Sequence, residues 1–166
     1  MTTVLLNLHN AGFFPVRSMI MAMGIFYGGI SQVIAGVIEY KKGNTFGTLA
    51  FTSYGFFWTA LVATWMLPRF GLAEATPTAY MSWFLMIWAV FSIFMTIGTI
   101  KSSKVLTFGF VTLDILFILP AVRDWMGSTL IGHIAGWEGI VCGLAAIYLA
   151  MAEMLEEKLG LRLLPF

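Results

Sequence analysis

The sequence predicts an all-α membrane protein: a bundle of six transmembrane helices, the first present only as its second half. Three observations carry this. The chain is 60% hydrophobic and 10% charged, where a soluble domain is roughly half apolar and a quarter charged, and its mean hydropathy is +0.91. Its apolar blocks exceed the roughly 18 residues that separate a spanning helix from a buried core helix. None alternates with the period of two that a membrane barrel requires. The 166 residues make a single transmembrane domain, with no room for a soluble one.

Residues 1–10 form the partial first span. About ten residues cover only half of the roughly 30 Å hydrocarbon layer at 1.5 Å per residue, and MTTVLLNLHNAG has neither the basic start nor the cleavage site of a signal peptide. After a turn with Gly12 and Pro15, a span over 18–40 is rich in small residues, among them Gly24, Gly28, Gly29 and Gly36, which allow helices close contact. Lys41, Lys42 and Gly43 end it. A span over 45–68 opens with a cap at Asn44 or Thr45. The span over 79–100, with Trp83, Trp88 and Phe94 and no ionisable group inside, is expected to face lipid or a neighbouring subunit. A span over 105–122 is bent or ended by Pro120. The last, over 129–154, carries Gly132 with Gly136 and Gly139 with Gly143 in GxxxG spacing.

Charge gives the orientation. Lys41, Lys42, Lys101, Lys104, Lys158 and Arg162 fall on one side and Arg17, Arg69 and Arg123 on the other, so the first side is cytoplasmic and carries the C-terminus. A net charge of +1 excludes the basic face that nucleic acid requires. One cysteine, Cys142, excludes a disulfide framework or a cysteine metal cluster. No HExxH, GxSxG or phosphate-cradling glycine loop occurs, so no enzyme, cofactor or metal site is expected.

The candidate functional residues lie where polarity enters the apolar spans. Thr45, Thr48, Thr52 and Thr59 recur at helical spacing and share one face, which reads either as a path wall or as hydroxyls bonded to their own backbone. The Asn44 end presents free N–H donors and a positive dipole end, suited to a carboxylate; Asn44, Thr45 and Thr48 are the candidate substrate-binding residues. Tyr54 lies on another stripe, with Gly47, Phe51, Trp58 and Leu61, that periodicity assigns to packing. Ionisable groups inside a membrane cost about 2.5–3.5 kcal/mol on insertion scales. Asp114 is therefore either a proton-carrying or cation-attracting site or a hydrogen-bonded structural group. Glu138, five residues after His133, either forms a relay with it or reaches interfacial water. Glu39 and Glu153, near lysines at helix ends, read as solvated ion pairs.

LLNLHNAG, AMGIFYGG, EYKKGNTFG, FTSYGFFW, HIAGWEGIVCG and AIYLAMAE, in this order, together resemble the acetate uptake transporter family, the bacterial succinate and acetate permeases and their fungal acetate-transporter relatives. The resemblance implies a six-helix permease in the cytoplasmic membrane for acetate and other small monocarboxylates, with succinate a further substrate, assembled as a homohexamer with one path per protomer. It implies proton symport or anion-channel behaviour. It also implies a constriction of phenylalanine, tyrosine and leucine, of which Tyr54 and Leu113 match two; the phenylalanine and the family's NPAPLGL motif have no counterpart in this chain. For both Tyr54 and the Asn44 end to meet solute, the third helix must break near Gly47 or Gly55 or the path must cross it obliquely. Asp114 and Glu138 stand where the family pattern implies uncharged residues, and are the candidate proton-coupling groups. Two other classes remain open: a non-transporting oligomeric scaffold or sensor, and an intramembrane hydrolase with a clustered Ser or His and an acid.

Overall fold

The computed structural model describes every residue except Arg162 and Phe166; Arg162, assigned to the inner side by charge, lies outside the described residues. The elements are α1 (Thr2–Asn10), α2 (Ser18–Lys41), α3 (Thr45–Met66) with a 3-10 turn at Pro68–Phe70, α4 (Thr78–Thr99), α5 (Lys104–Met126) and α6 (Thr129–Leu159). No strand occurs among the described residues. Helices α2 to α6 are each long and apolar enough to cross a membrane.

Local chemistry sets the helix limits. The side chains of Asn44, Ser103 and Ser128 accept hydrogen bonds from the N–H groups of Gly47, Leu106 and Ile131, satisfying donors that a helix start leaves free. Two ends differ from expectation. Helix α5 continues past Pro120 to Met126 instead of stopping near residue 122, because a proline in a helix forfeits one backbone bond without ending the coil. Gly127, at φ +63°, is the residue that stops it. Helix α6 likewise runs to Leu159, five residues beyond 154, and ends at Gly160 with φ +64°.

The chain forms two compact units, one of residues 2 and 15–81 and the other of residues 1, 3–14 and 82–166. In the first, α2 lies along α3 through its glycines. A Cβ on Gly29 would meet the Thr59 methyl and a carbonyl, and one on Gly36 would meet the Thr52 methyl and backbone. From Met23 to Ser31 the winding of α2 widens to a π-helix, and the Ser31 hydroxyl donates to the Phe26 carbonyl five residues back, at 3.1 Å. The expected break in α3 at Gly47 or Gly55 is absent: α3 is continuous from Thr45 to Met66. Gly55 instead admits the Gly29 carbonyl and Val33 of α2. The irregular backbone is in α2.

In the second unit, α1 lies on the glycine stripe of α6. Gly136 faces the backbone of Asn10 and Ala11, Gly139 the side chain of Asn7, and Gly143 Val4. Asn7, 1% exposed, is internally satisfied: its Nδ2 donates to the Thr3 carbonyl at 2.9 Å and its Oδ1 accepts from Asn10 at 2.9 Å. Helix α4 exposes Trp83, Ile87 and Phe94 and buries Ser82, Ala89 and Ser92, so one face is apolar and uncovered as expected. Trp88 stacks edge-on with Phe84 and Phe91 along the helix.

Gly139→Ala would drive a Cβ into Asn7 and is expected to destabilise the protein by about 1–3 kcal/mol, the cost of overpacking a filled contact. Gly109→Ala is the matched control, since a Cβ there meets nothing within 4 Å. Thermal unfolding in detergent should show a lowered midpoint for the first and an unchanged or raised one for the second.

Candidate functional site

The start of α3 is built by the turn that precedes it. Gly43, at φ +75°, takes a conformation that costs other residues a Cβ clash, and it turns the chain so that the Asn44 N–H donates to the Glu39 carbonyl at 3.0 Å. The Asn44 side chain then works both ways. Its Oδ1 accepts from the Gly47 N–H at 3.0 Å, and its Nδ2 donates to Glu39 Oε2 at 2.6 Å. Lys42 Nζ donates to Glu39 Oε1 at 2.9 Å. The expected ion pair of Glu39 with a lysine is present, with Asn44 as an added partner. A carboxylate is thus held at a helix start, where N–H groups and a positive dipole end favour negative charge. Thr45 is exposed, and the Thr48 hydroxyl donates to the Asn44 carbonyl at 2.8 Å.

Three threonines of the row, Thr48, Thr52 and Thr59, bond their own helix. Thr52 donates to the Thr48 carbonyl at 2.6 Å and Thr59 to the Phe56 carbonyl at 3.0 Å, while their methyls fill the glycine hollows of α2. Thr52 and Thr59 face α2, which supports the backbone-bonding reading for these two. On the other stripe, Tyr54, Gly47, Trp58 and Leu61 are buried and Phe51 is exposed.

The second unit holds the remaining candidates. Leu113 is half-buried on α5. Beside it in sequence, Asp114 Oδ2 lies 2.7 Å from the Thr96 hydroxyl of α4. Its Oδ1 and both carboxylate oxygens of Glu138 are buried with no hydrogen-bond partner among the described residues. Burial of those oxygens argues against Glu138 simply reaching water, and their lack of a partner leaves no relay with His133. His133 is exposed and lies against Gly12. One turn after Glu138, Cys142 is buried and its Sγ lies 3.8 Å from the Gly109 carbonyl. No group of three or more His, Cys, Asp or Glu suited to a metal occurs among the described residues.

Two contributors escaped the sequence reading. Thr96 lies in a helix with no acidic or basic side chain, and nothing in a single sequence pairs it with an aspartate 18 residues later. Asn7 had a signal: an amide in an apolar stretch needs internal partners, for the same reason that a charge there does.

Comparison with known proteins covers nearly the whole chain. Residues 1–164 match the GPR1/FUN34/yaaH family. The chain is 53% identical over 165 residues to the succinate-acetate/proton symporter SatP of Escherichia coli K12, covering 99% of this chain and 88% of that protein. It is 30% identical to acetate permease A of Emericella nidulans, over 99% of this chain and 61% of the permease. The structure of the bacterial acetate channel SatP superposes with a TM-score of 0.99 at 52% identity, covering 100% of this chain and 92% of that one. The chain therefore belongs to the GPR1/FUN34/yaaH family, the one its six sequence motifs resemble.

Proposed function

We propose that this protein is a membrane permease or channel for acetate and related small carboxylates, succinate among them, passing them through a narrow apolar constriction. The observation that carries the reading is the similarity to SatP, in both sequence and backbone, over almost the full length of the chain. The relatives reported above are named as a symporter, a permease and a channel, so neither an enzyme nor a non-transporting scaffold is favoured. The finer architecture is part of the same proposal: α1 contributes to a sixth membrane-spanning element, the C-terminus is cytoplasmic, and the protomers assemble as a homohexamer.

Asn44, Thr45 and Thr48 are proposed to hold the substrate carboxylate, and Tyr54 and Leu113 to form the constriction. In the resting structure Glu39 occupies the Asn44 amide. Substrate binding is then an exchange of one carboxylate for another at the same donor, with the Lys42 ammonium available to either. The apolar constriction rejects hydrated ions because they must shed water to pass. Acetate loses less: its methyl group tolerates apolar walls, and its carboxylate is kept near donors until it crosses.

Three outcomes follow from these assignments. In proteoliposomes, Asn44→Leu should abolish saturable uptake of radiolabelled acetate; uptake equal to wild type would remove Asn44 from the binding site. Glu39→Gln, which replaces a charged competitor with a neutral one, should lower the acetate concentration that gives half-maximal uptake, and a raised value would show that Glu39 only braces the turn. Leu113→Ala should raise the uptake of propionate relative to acetate in a competition assay, whereas an unchanged ratio would place Leu113 outside the constriction.

A further inference from the structure

We infer that Asp114 and Thr96 form a proton-binding pair between α5 and α4, in which Asp114 takes up and releases a proton while the Thr96 hydroxyl turns between the Asp114 carboxyl and the Ser92 carbonyl. The argument rests on counting protons. Thr96 Oγ1 lies 2.7 Å from Asp114 Oδ2 and 3.0 Å from the Ser92 carbonyl oxygen. A threonine hydroxyl has one proton to donate and lone pairs to accept with. A carbonyl has none to give, so the Thr96–Ser92 contact is a hydrogen bond only when Thr96 donates to Ser92.

With Asp114 protonated on Oδ2 and donating to Thr96, each contact has a proton of its own; with Asp114 ionised, the two contacts compete for one hydroxyl proton. When Asp114 is ionised, the single hydroxyl proton goes to the carboxylate, because a hydrogen bond to a charged oxygen is about twice as strong as a neutral one. The Ser92 carbonyl then gives up its extra bond. The site therefore has a satisfied arrangement for each protonation state, and a rotation of one hydroxyl connects them. No backbone movement is needed. Asp114 Oδ1 is buried and has no hydrogen-bond partner among the described residues.

The neighbours fit a site that stands apart from fixed charge. The segment of α4 in this unit, Ser82 to Thr99, carries no titratable side chain. From α6, Glu138 and Cys142 face the same region, with Cys142 in electrostatic range of both Asp114 and Glu138. No arginine or lysine pairs with Asp114 among the described residues. Thr96 is a positioning residue here and Asp114 the proton carrier. The proton binding stands on this geometry alone. Only its consequence for transport, transmitted through the adjacent Leu113, rests on the function proposed above.

Infrared difference spectroscopy of the full chain in lipid vesicles tests the pair across a pH titration. The expected result is a carboxylic C=O band that appears as pH falls, shifts on 13C labelling of aspartate, and is lost in Asp114→Asn. Thr96→Val should move its frequency and midpoint, Thr96→Ser should restore both, and Glu138→Gln should leave it in place. If no aspartate band titrates, Asp114 does not take up a proton; if Thr96→Val leaves frequency and midpoint unchanged, the pair is wrong. The label marks Asp114 and Asp124 alike, so Asp124→Asn is the second variant: a titrating band that persists in it belongs to Asp114, and one lost in it overturns the assignment. Acetate uptake under an imposed pH gradient separates the two proposals. Wild-type vesicles that show the band but no uptake overturn the transport reading and leave the pair standing. Uptake whose stimulation by the gradient is lost in Asp114→Asn upholds both.

Discussion

Helix backbones approach closely in this protein because a side chain is missing where they meet, and most other features depend on that. In lipid the hydrophobic effect does not drive helices together, so association relies on packing and on polar contacts between chains. At Gly29, Gly36 and Gly55 between α2 and α3, and at Gly136 and Gly139 between α1 and α6, an added Cβ would overlap a carbonyl, a methyl or an amide. The same closeness lets Asn7 lie against the α6 backbone and still find its own partners in α1. A bulkier interface would hold these helices apart and leave such an amide exposed to hydrocarbon, where an unpaired polar group is costly.

Given that framework, polar groups are distributed in two ways. At the α3 start they are gathered by a turn: Gly43, Asn44, Lys42 and Glu39 lie within six residues of chain, and local geometry brings them together. In the other unit they are gathered across helices, with Thr96 and Asp114 on neighbouring elements. The first kind is the turn proposed above to exchange one anion for another. The second is the buried pair proposed to change its hydrogen bonds with a single proton.

That difference also explains what could be read from the chain alone. The helices were legible because apolar length and capping residues are local properties: Asn44 caps as its type and position predict. The glycine stripes of α2 and α6 were legible from spacing. The orientation of the threonine row was not, since a hydroxyl stripe has the same periodicity whether it meets a solute or its own backbone. The π-winding at Met23–Ser31 has no single-residue signature. The Asp114 partner was hidden for a related reason: pairing between α4 and α5 is a property of their relative rotation, which no motif encodes.

The self-bonded threonines have a consequence for partitioning into lipid. By composition α3 is the least apolar of the spans, and a residue-by-residue scale would rank it the worst candidate for insertion. Yet Thr48, Thr52, Thr59 and Thr64 each donate their hydroxyl proton to a carbonyl of the same helix, so their polar hydrogens travel already satisfied and need no solvent. What such a segment offers its surroundings is chiefly methyl groups. Its effective polarity is lower than its formula, and a translocating machinery that senses solvation would treat it as more hydrocarbon-like than the amino acids suggest.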